Sequence, residues 1–136
     1  MPTKTILMVE DQLDFLAVQK LYLERNGYEV LAVSDGIDAV ACAKQRLPNV
    51  ILMDLSLPRL DGLDATRQLK VDPSTRDIPV ILLTAHGYGA AGRRAREAGC
   101  AAFLPKPCEP RRVLEEVQLL IGPAADPGHR GPGARA

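Results

Sequence analysis

Five short runs of β-branched and aliphatic residues punctuate the chain, and each is followed by a stretch whose apolar residues return at helical spacing. The first run, Thr5 to Val9, leads into a predicted helix from about Asp14 to Asn26, with Ala17, Lys20 and Glu24 on its solvent stripe and Gly27 as a left-handed stop. The second, Glu29 to Val33, is followed by Asp35 as N-cap of a helix that runs through Arg46 and breaks before Pro48. In the third, Val50, Ile51, Leu52 and Met53 follow one another without a polar residue, the pattern of a strand covered on both faces. A loop with Pro58 and a helix from about Leu63 to Val71 come next, closed by Asp72-Pro73. The fourth unit is Pro79 to Thr84 plus a helix ending before Gly99. The fifth is Ala102 to Pro105 plus a helix whose apolar face is Val113, Leu114, Val117, Leu120 and Ile121. Strands alternating with helices predict an α/β fold built from βα units around a parallel sheet. From Gly122 to Ala136 a mixture of Gly, Pro and Ala offers no periodic apolar residues, so a folded domain over residues 1–121 and a disordered tail over 122–136 are expected, with no output domain attached.

Composition narrows the function more than the fold. With 136 residues the chain has room for one core. Lys plus Arg and Asp plus Glu number 17 each, so no net field draws the protein to nucleic acid or to an anionic membrane, and DNA binding is not expected. Cys42, Cys100 and Cys108 are odd in number and lack metal-ligand spacing, which argues against a disulfide framework or a zinc site and fits a reducing cytoplasm. No signal-peptide core is present, nor any stretch near the roughly 20 apolar residues of a membrane helix.

Chemistry gathers at the carboxyl ends of the runs, where open α/β sheets place their ligand crevice. Asp54 directly follows the central apolar run, and Glu10-Asp11 follow the first. Were those strands neighbours, three carboxylates would share one pocket, and each pair about 4 Å apart would repel by about 4 kcal/mol at an effective dielectric near 20. A cation is then required, and hard oxygen donors suit Mg²⁺, or Mn²⁺ in its place, better than zinc. Read alone, Glu10-Asp11 is equally the sequence of a solvated turn that caps a helix. Thr84 ends the fourth run with a hydroxyl. Lys106 lies between Pro105 and Pro107, outside any helix or strand interior, with its ammonium free to reach the crevice. Lys106-Pro107 is a candidate cis peptide. On this reading Asp54 accepts a phosphoryl group whose charge Lys106 offsets.

Glu10-Asp11, Asp54 with Pro58 and Asp61-Gly62, Thr84-Ala85, Phe103 and Lys106-Pro107, in register over about Lys4 to Ile121, resemble the receiver domain of bacterial two-component response regulators. The resemblance implies a doubly wound, flavodoxin-like (CheY-like) sheet of five parallel strands in the order 2-1-3-4-5, which makes the first and third strands neighbours. It implies that Asp54 takes a phosphoryl group from a sensor histidine kinase or a histidine phosphotransfer protein. Glu10, Asp11, Asp54 and the backbone carbonyl of Ser56 would hold Mg²⁺, Thr84 and Lys106 would bind the phosphoryl oxygens, and Thr84 and Phe103 would form the switch. The resemblance also places Ser56 and His86 at positions that in the family bear on hydrolysis of the acyl phosphate. The expected activity is phosphoacceptance with at most slow autodephosphorylation, not turnover as an enzyme.

Gly87, Gly89 and Gly92 weaken the start of the fourth helix, so mobility is expected there. The upstream partner is expected near the first helix and the Pro107-Cys108 loop. A downstream protein would read the face of the fourth helix, fifth strand and fifth helix, where Arg93, Arg94, Arg96 and Leu119 are candidate contacts. A monomer, or a weak dimer that depends on phosphorylation, is anticipated. Three other readings stand beside this one: a phosphatase-like hydrolase with Asp54 as covalent nucleophile, disfavoured because Ser56 stands where a second acid is expected; a nucleotide-binding module, for which no glycine-rich phosphate loop is present; and an adaptor that acts without phosphorylation.

Overall fold

The structure, a computed structural model, describes residues 3–85 and 89–124. Five strands and five helices alternate along it: β1 (Thr5–Val9), α1 (Leu13–Arg25), β2 (Glu29–Val33), α2 (Gly36–Arg46), β3 (Val50–Asp54), α3 (Gly62–Val71), β4 (Val80–Thr84), α4 (Gly89–Ala98), β5 (Ala102–Pro105) and α5 (Pro110–Ile121). The sheet is parallel throughout, in the order β2-β1-β3-β4-β5. This is the expected CheY-like topology.

Alternate strand residues feed two cores. Ile6, Met8, Leu52, Ile81 and Leu83 face α1 and α5, where they meet Leu23, Val113 and Val117. Leu7, Val9, Ile51, Met53 and Leu82 face α2, α3 and α4, where they meet Ala39, Ala43, Leu69 and Ala95. Both faces of β3 are covered and all five of its residues are buried, which is why its sequence shows no polar alternation.

Element ends follow local chemistry. Asp35 caps α2 by accepting from the Asp38 N–H at 2.8 Å. The first helix begins at Leu13 and the third at Gly62, each one residue before the sequence-based expectation, because Gln12 and Asp61 take the cap positions. β4 begins at Val80 because Pro79 has no N–H to donate; its carbonyl still accepts from the Ile51 N–H at 3.0 Å. A Cβ on Gly62 would lie 2.2 Å from the backbone oxygen of Asp54, so only glycine lets α3 start so close to the tip of β3.

Of the segment expected to form a tail, residues 122–124 are described. The Tyr28 hydroxyl donates to the Gly122 carbonyl at 2.6 Å, and the Lys4 N–H donates to the Ala124 carbonyl at 3.1 Å. Residues 125–136 lie outside the described residues, as do His86 and, from the segment expected to be mobile, Gly87 and Tyr88. Among the described residues no helix is long and apolar enough to cross a membrane.

Candidate functional site

The pairing of Val9 with Met53 sets the tips of β1 and β3 side by side, so Glu10 lies beside Asp54. Glu10, Asp11 and Asp54 each offer a carboxylate oxygen within 4.8 Å of the others. Glu10 is fully buried; one of its oxygens accepts from the Gln12 N–H at 2.9 Å and the other from Lys106 Nζ at 3.0 Å. Asp54, 5% exposed, accepts from the Ser56 N–H at 3.2 Å and from Lys106 Nζ at 3.3 Å. Asp11 is exposed. Asp11 and Asp54 open onto a cleft of about 540 Å³ whose walls also include Phe15, Ser56 and Lys106.

Lys106 reaches this place from the end of β5. Its backbone N–H donates to the Thr84 carbonyl at 2.6 Å, the Lys106–Pro107 peptide is cis, and the side chain is 9% exposed. Beyond Glu10 and Asp54, Nζ donates to Gln12 Oε1 at 3.1 Å and stands 4.6 Å from the centre of the Phe15 ring. Burial works against the ammonium, but hydrogen bonds and charge from Glu10 and Asp54 outweigh it, so the Lys106 pKa stands above the usual lysine value. For Glu10, burial dominates over the bonds from Gln12 and Lys106, and the charge of Asp54 adds to it, so its carboxyl is held above the usual range.

Three carboxylates thus gather where there is one ammonium, which pairs with Glu10 and Asp54. Both oxygens of Glu10 already accept hydrogen bonds, whereas Asp11 is exposed and Asp54 lines the cleft. The donor set therefore fits a hard divalent cation held chiefly by Asp11 and Asp54.

The remaining candidates are distributed as follows. Thr84 ends β4 opposite Pro105 and is 1% exposed. Ser56 is exposed at the cleft wall, two residues beyond Asp54. Phe103 lies elsewhere, half-buried beside a second cavity of about 410 Å³ between α4 and β5, with Gly92, Arg96 and Cys100. His86 lies outside the described residues.

Sequence reasoning missed three contributors. Gln12 and Phe15 read as the entry to a helix, and nothing in their spacing marks them as partners of a lysine more than ninety positions away. Arg59 takes a left-handed φ of 67° in the loop after Asp54, and its guanidinium donates to Asp35 at 3.0 Å. That bond fastens the loop to the start of α2.

A doubly wound sheet whose strand tips collect an acidic cluster, a buried threonine and one lysine is the arrangement that the resemblance to receiver domains implies. Residues 6–118 match the response regulator receiver domain, and the chain belongs to that family, the receivers of two-component systems. It is 35% identical over 122 residues to the polar-differentiation response regulator DivK of Brucella ovis, an alignment that covers 90% of this chain and 99% of that protein. The receiver domain of sensor histidine kinase PA1611 from Pseudomonas aeruginosa PAO1, crystallised with a magnesium ion in its active-site cleft, is 36% identical. It superposes with a TM-score of 0.82 over 89% of this chain and 99% of that one. A response regulator from Chloroflexus aurantiacus J-10-fl, 30% identical, superposes with a TM-score of 0.84 over 88% and 98% of the two chains.

Proposed function

We propose that Asp54 is the phosphoacceptor of a cytoplasmic response regulator that signals through protein contacts controlled by phosphorylation. One carboxylate oxygen of Asp54 attacks the phosphorus of a phosphohistidine on a sensor kinase or phosphotransfer protein. The P–N bond breaks, its electron pair stays on the imidazole nitrogen, which gains a proton unless the ring's other nitrogen already carries one, and an acyl phosphate forms on Asp54. Mg²⁺, when bound, offsets the charge of the phosphoryl oxygens and of the carboxylates. Asp11 and Asp54 would hold it with the Ser56 carbonyl, and Glu10 would support it from behind, through the bond to the Gln12 N–H that fixes the turn.

Lys106 turns from Asp54 to the new phosphoryl oxygens, and the Thr84 hydroxyl donates to another of them. Phe103, beside the α4–β5 cavity, is the aromatic that answers the movement of Thr84. Ser56, and His86 beyond the described residues, set how readily water reaches the acyl phosphate.

The kinase or phosphotransfer partner meets the protein over α1 and the Pro107-Cys108 loop. Support comes from three large apolar residues that α1 turns outward: Leu13, Val18 and Leu21. The downstream protein reads α4, β5 and α5, where Leu119 is 78% exposed.

The observation that carries this reading is the buried Asp54 carboxylate lining an open cleft, 3.3 Å from an ammonium and beside two further acids. Phosphoramidate or acetyl phosphate with Mg²⁺ is expected to add one phosphoryl group to the protein, and Asp54→Asn to abolish the addition. Labelling that persists in the Asn variant would assign the acceptor elsewhere.

A further inference from the structure

We infer that Phe15 is a positioning residue for phosphoryl transfer: its ring seats the Lys106 ammonium in the cleft and lets it travel from Glu10 toward a phosphoryl group on Asp54. The inference rests on the role of Lys106 proposed above. Its basis is the asymmetry of the lysine's surroundings. Asp54 is the single partner from β3, while Glu10, Gln12 and Phe15 all come from the segment between β1 and the first turn of α1.

The three partners on that side hold the ammonium in different ways. Glu10 and Gln12 grip it through directional hydrogen bonds of 3.0 and 3.1 Å, which a shift of about 1 Å weakens steeply. Gln12 occupies the N-cap of α1, yet its side chain makes no cap bond and turns to Lys106 instead. A cation over a ring face is attracted anywhere within about 6 Å of the centroid, without one fixed direction. At 4.6 Å, Nζ can therefore slide toward Asp54 and stay within the ring's reach. The lysine side chain is 9% exposed, so the ring acts on a largely desolvated charge, the condition in which such contacts are strongest. Phe15 also lines the cleft together with Lys106 and Asp54, so the ring stands along the path between the two. Gln12 holds Lys106 back, and Phe15 keeps it in place as it moves.

Opposite effects on rate follow for the two neighbours. The experiment compares Mg²⁺-dependent labelling by phosphoramidate in the wild type, Phe15→Leu, Phe15→Tyr and Gln12→Ala. Alongside it, the proton resonances of the Lys106 ε-methylene, which a ring face shifts upfield, are recorded in the unphosphorylated proteins.

Phe15→Leu keeps the apolar volume and loses the ring, so labelling should slow by about 3- to 30-fold and the upfield shift should vanish. Phe15→Tyr keeps the ring and should restore both. Gln12→Ala releases the lysine and should label faster than the wild type.

The inference is overturned if the wild type shows no upfield shift, if Phe15→Leu labels as fast as the wild type, or if Gln12→Ala is slowed as Phe15→Leu is, which would mean a generally loosened turn. A wild type that takes no label overturns the phosphoacceptor reading and this inference together. A labelled wild type with an unaffected Phe15→Leu overturns this inference alone.

Discussion

Two acid–base contacts at the same end of the sheet use the same kinds of residue and reach opposite states. Around Asp35, one carboxylate meets one guanidinium: an oxygen caps α2, the other accepts from Arg59, and nothing is left over. The cap bond from Asp38 and then the charge and hydrogen bonds of Arg59 outweigh the burial, so the Asp35 carboxyl sits below its usual range. Around Lys106, two carboxylates share one ammonium with a third, that of Asp11, close beside them, and the buried Glu10 is held above its usual range. The first arrangement is finished and serves the fold. The second carries an excess of negative charge that folding does not relieve, the electrostatic condition for taking up a cation.

The strongest way to break this contrast is to remove each cation in turn. Lys106→Met leaves a fully buried Glu10 without its counter-charge and should destabilise the protein by about 3 kcal/mol or more at neutral pH, measured by urea unfolding. Asp35→Ala removes a helix cap and should cost about 1–2 kcal/mol in the same assay. Arg59→Met breaks a contact whose arginine is 58% exposed, and the loss should stay under about 1 kcal/mol. Equal losses for Lys106→Met and Arg59→Met would erase the distinction between the two places.

A smaller effect appears as pH dependence, with opposite signs. The folded pKa of Glu10 is raised, so its contribution to stability is full below the ordinary glutamate value of about 4.3 and is lost as pH rises through the folded value. The folded pKa of Asp35 is lowered, so its contribution is present above about 3.9 and is lost as pH falls through the folded value. Without divalent cations, Glu10→Gln should flatten the loss of urea midpoint on the alkaline side, and Asp35→Asn the loss on the acid side. The reverse pairing would mean that the burial of Glu10 is compensated within the fold.

Much of the fold was legible in the chain because β1, β3 and β4 are buried along almost their whole length and write themselves as nearly unbroken apolar runs. β2 and β5 end where the sequence marks them, and Asp35 reads as a cap because its chemistry is local. The acidic cluster was legible once β1 and β3 were taken as neighbours, since Asp54 ends β3 and Glu10-Asp11 follow β1. What escaped was the reach of long side chains across the cleft. The aromatic Phe15 falls at a helical position that any core would accept, and its contact with Lys106 depends on where a flexible four-carbon stem ends. Arg59 was invisible for a similar reason: a left-handed residue in a loop carries no periodic signal, and its partner lies 24 positions away.

The excess negative charge in the cleft is tested most directly by a single titration: the urea midpoint of the wild-type protein with and without Mg²⁺. A cation that binds only the folded cleft should add about 2.7 kcal/mol at a hundredfold excess over its Kd, and Asp11→Asn should lose most of that gain. A midpoint that Mg²⁺ leaves unchanged would contradict the account, for it would mean that Lys106 alone already satisfies the three acids.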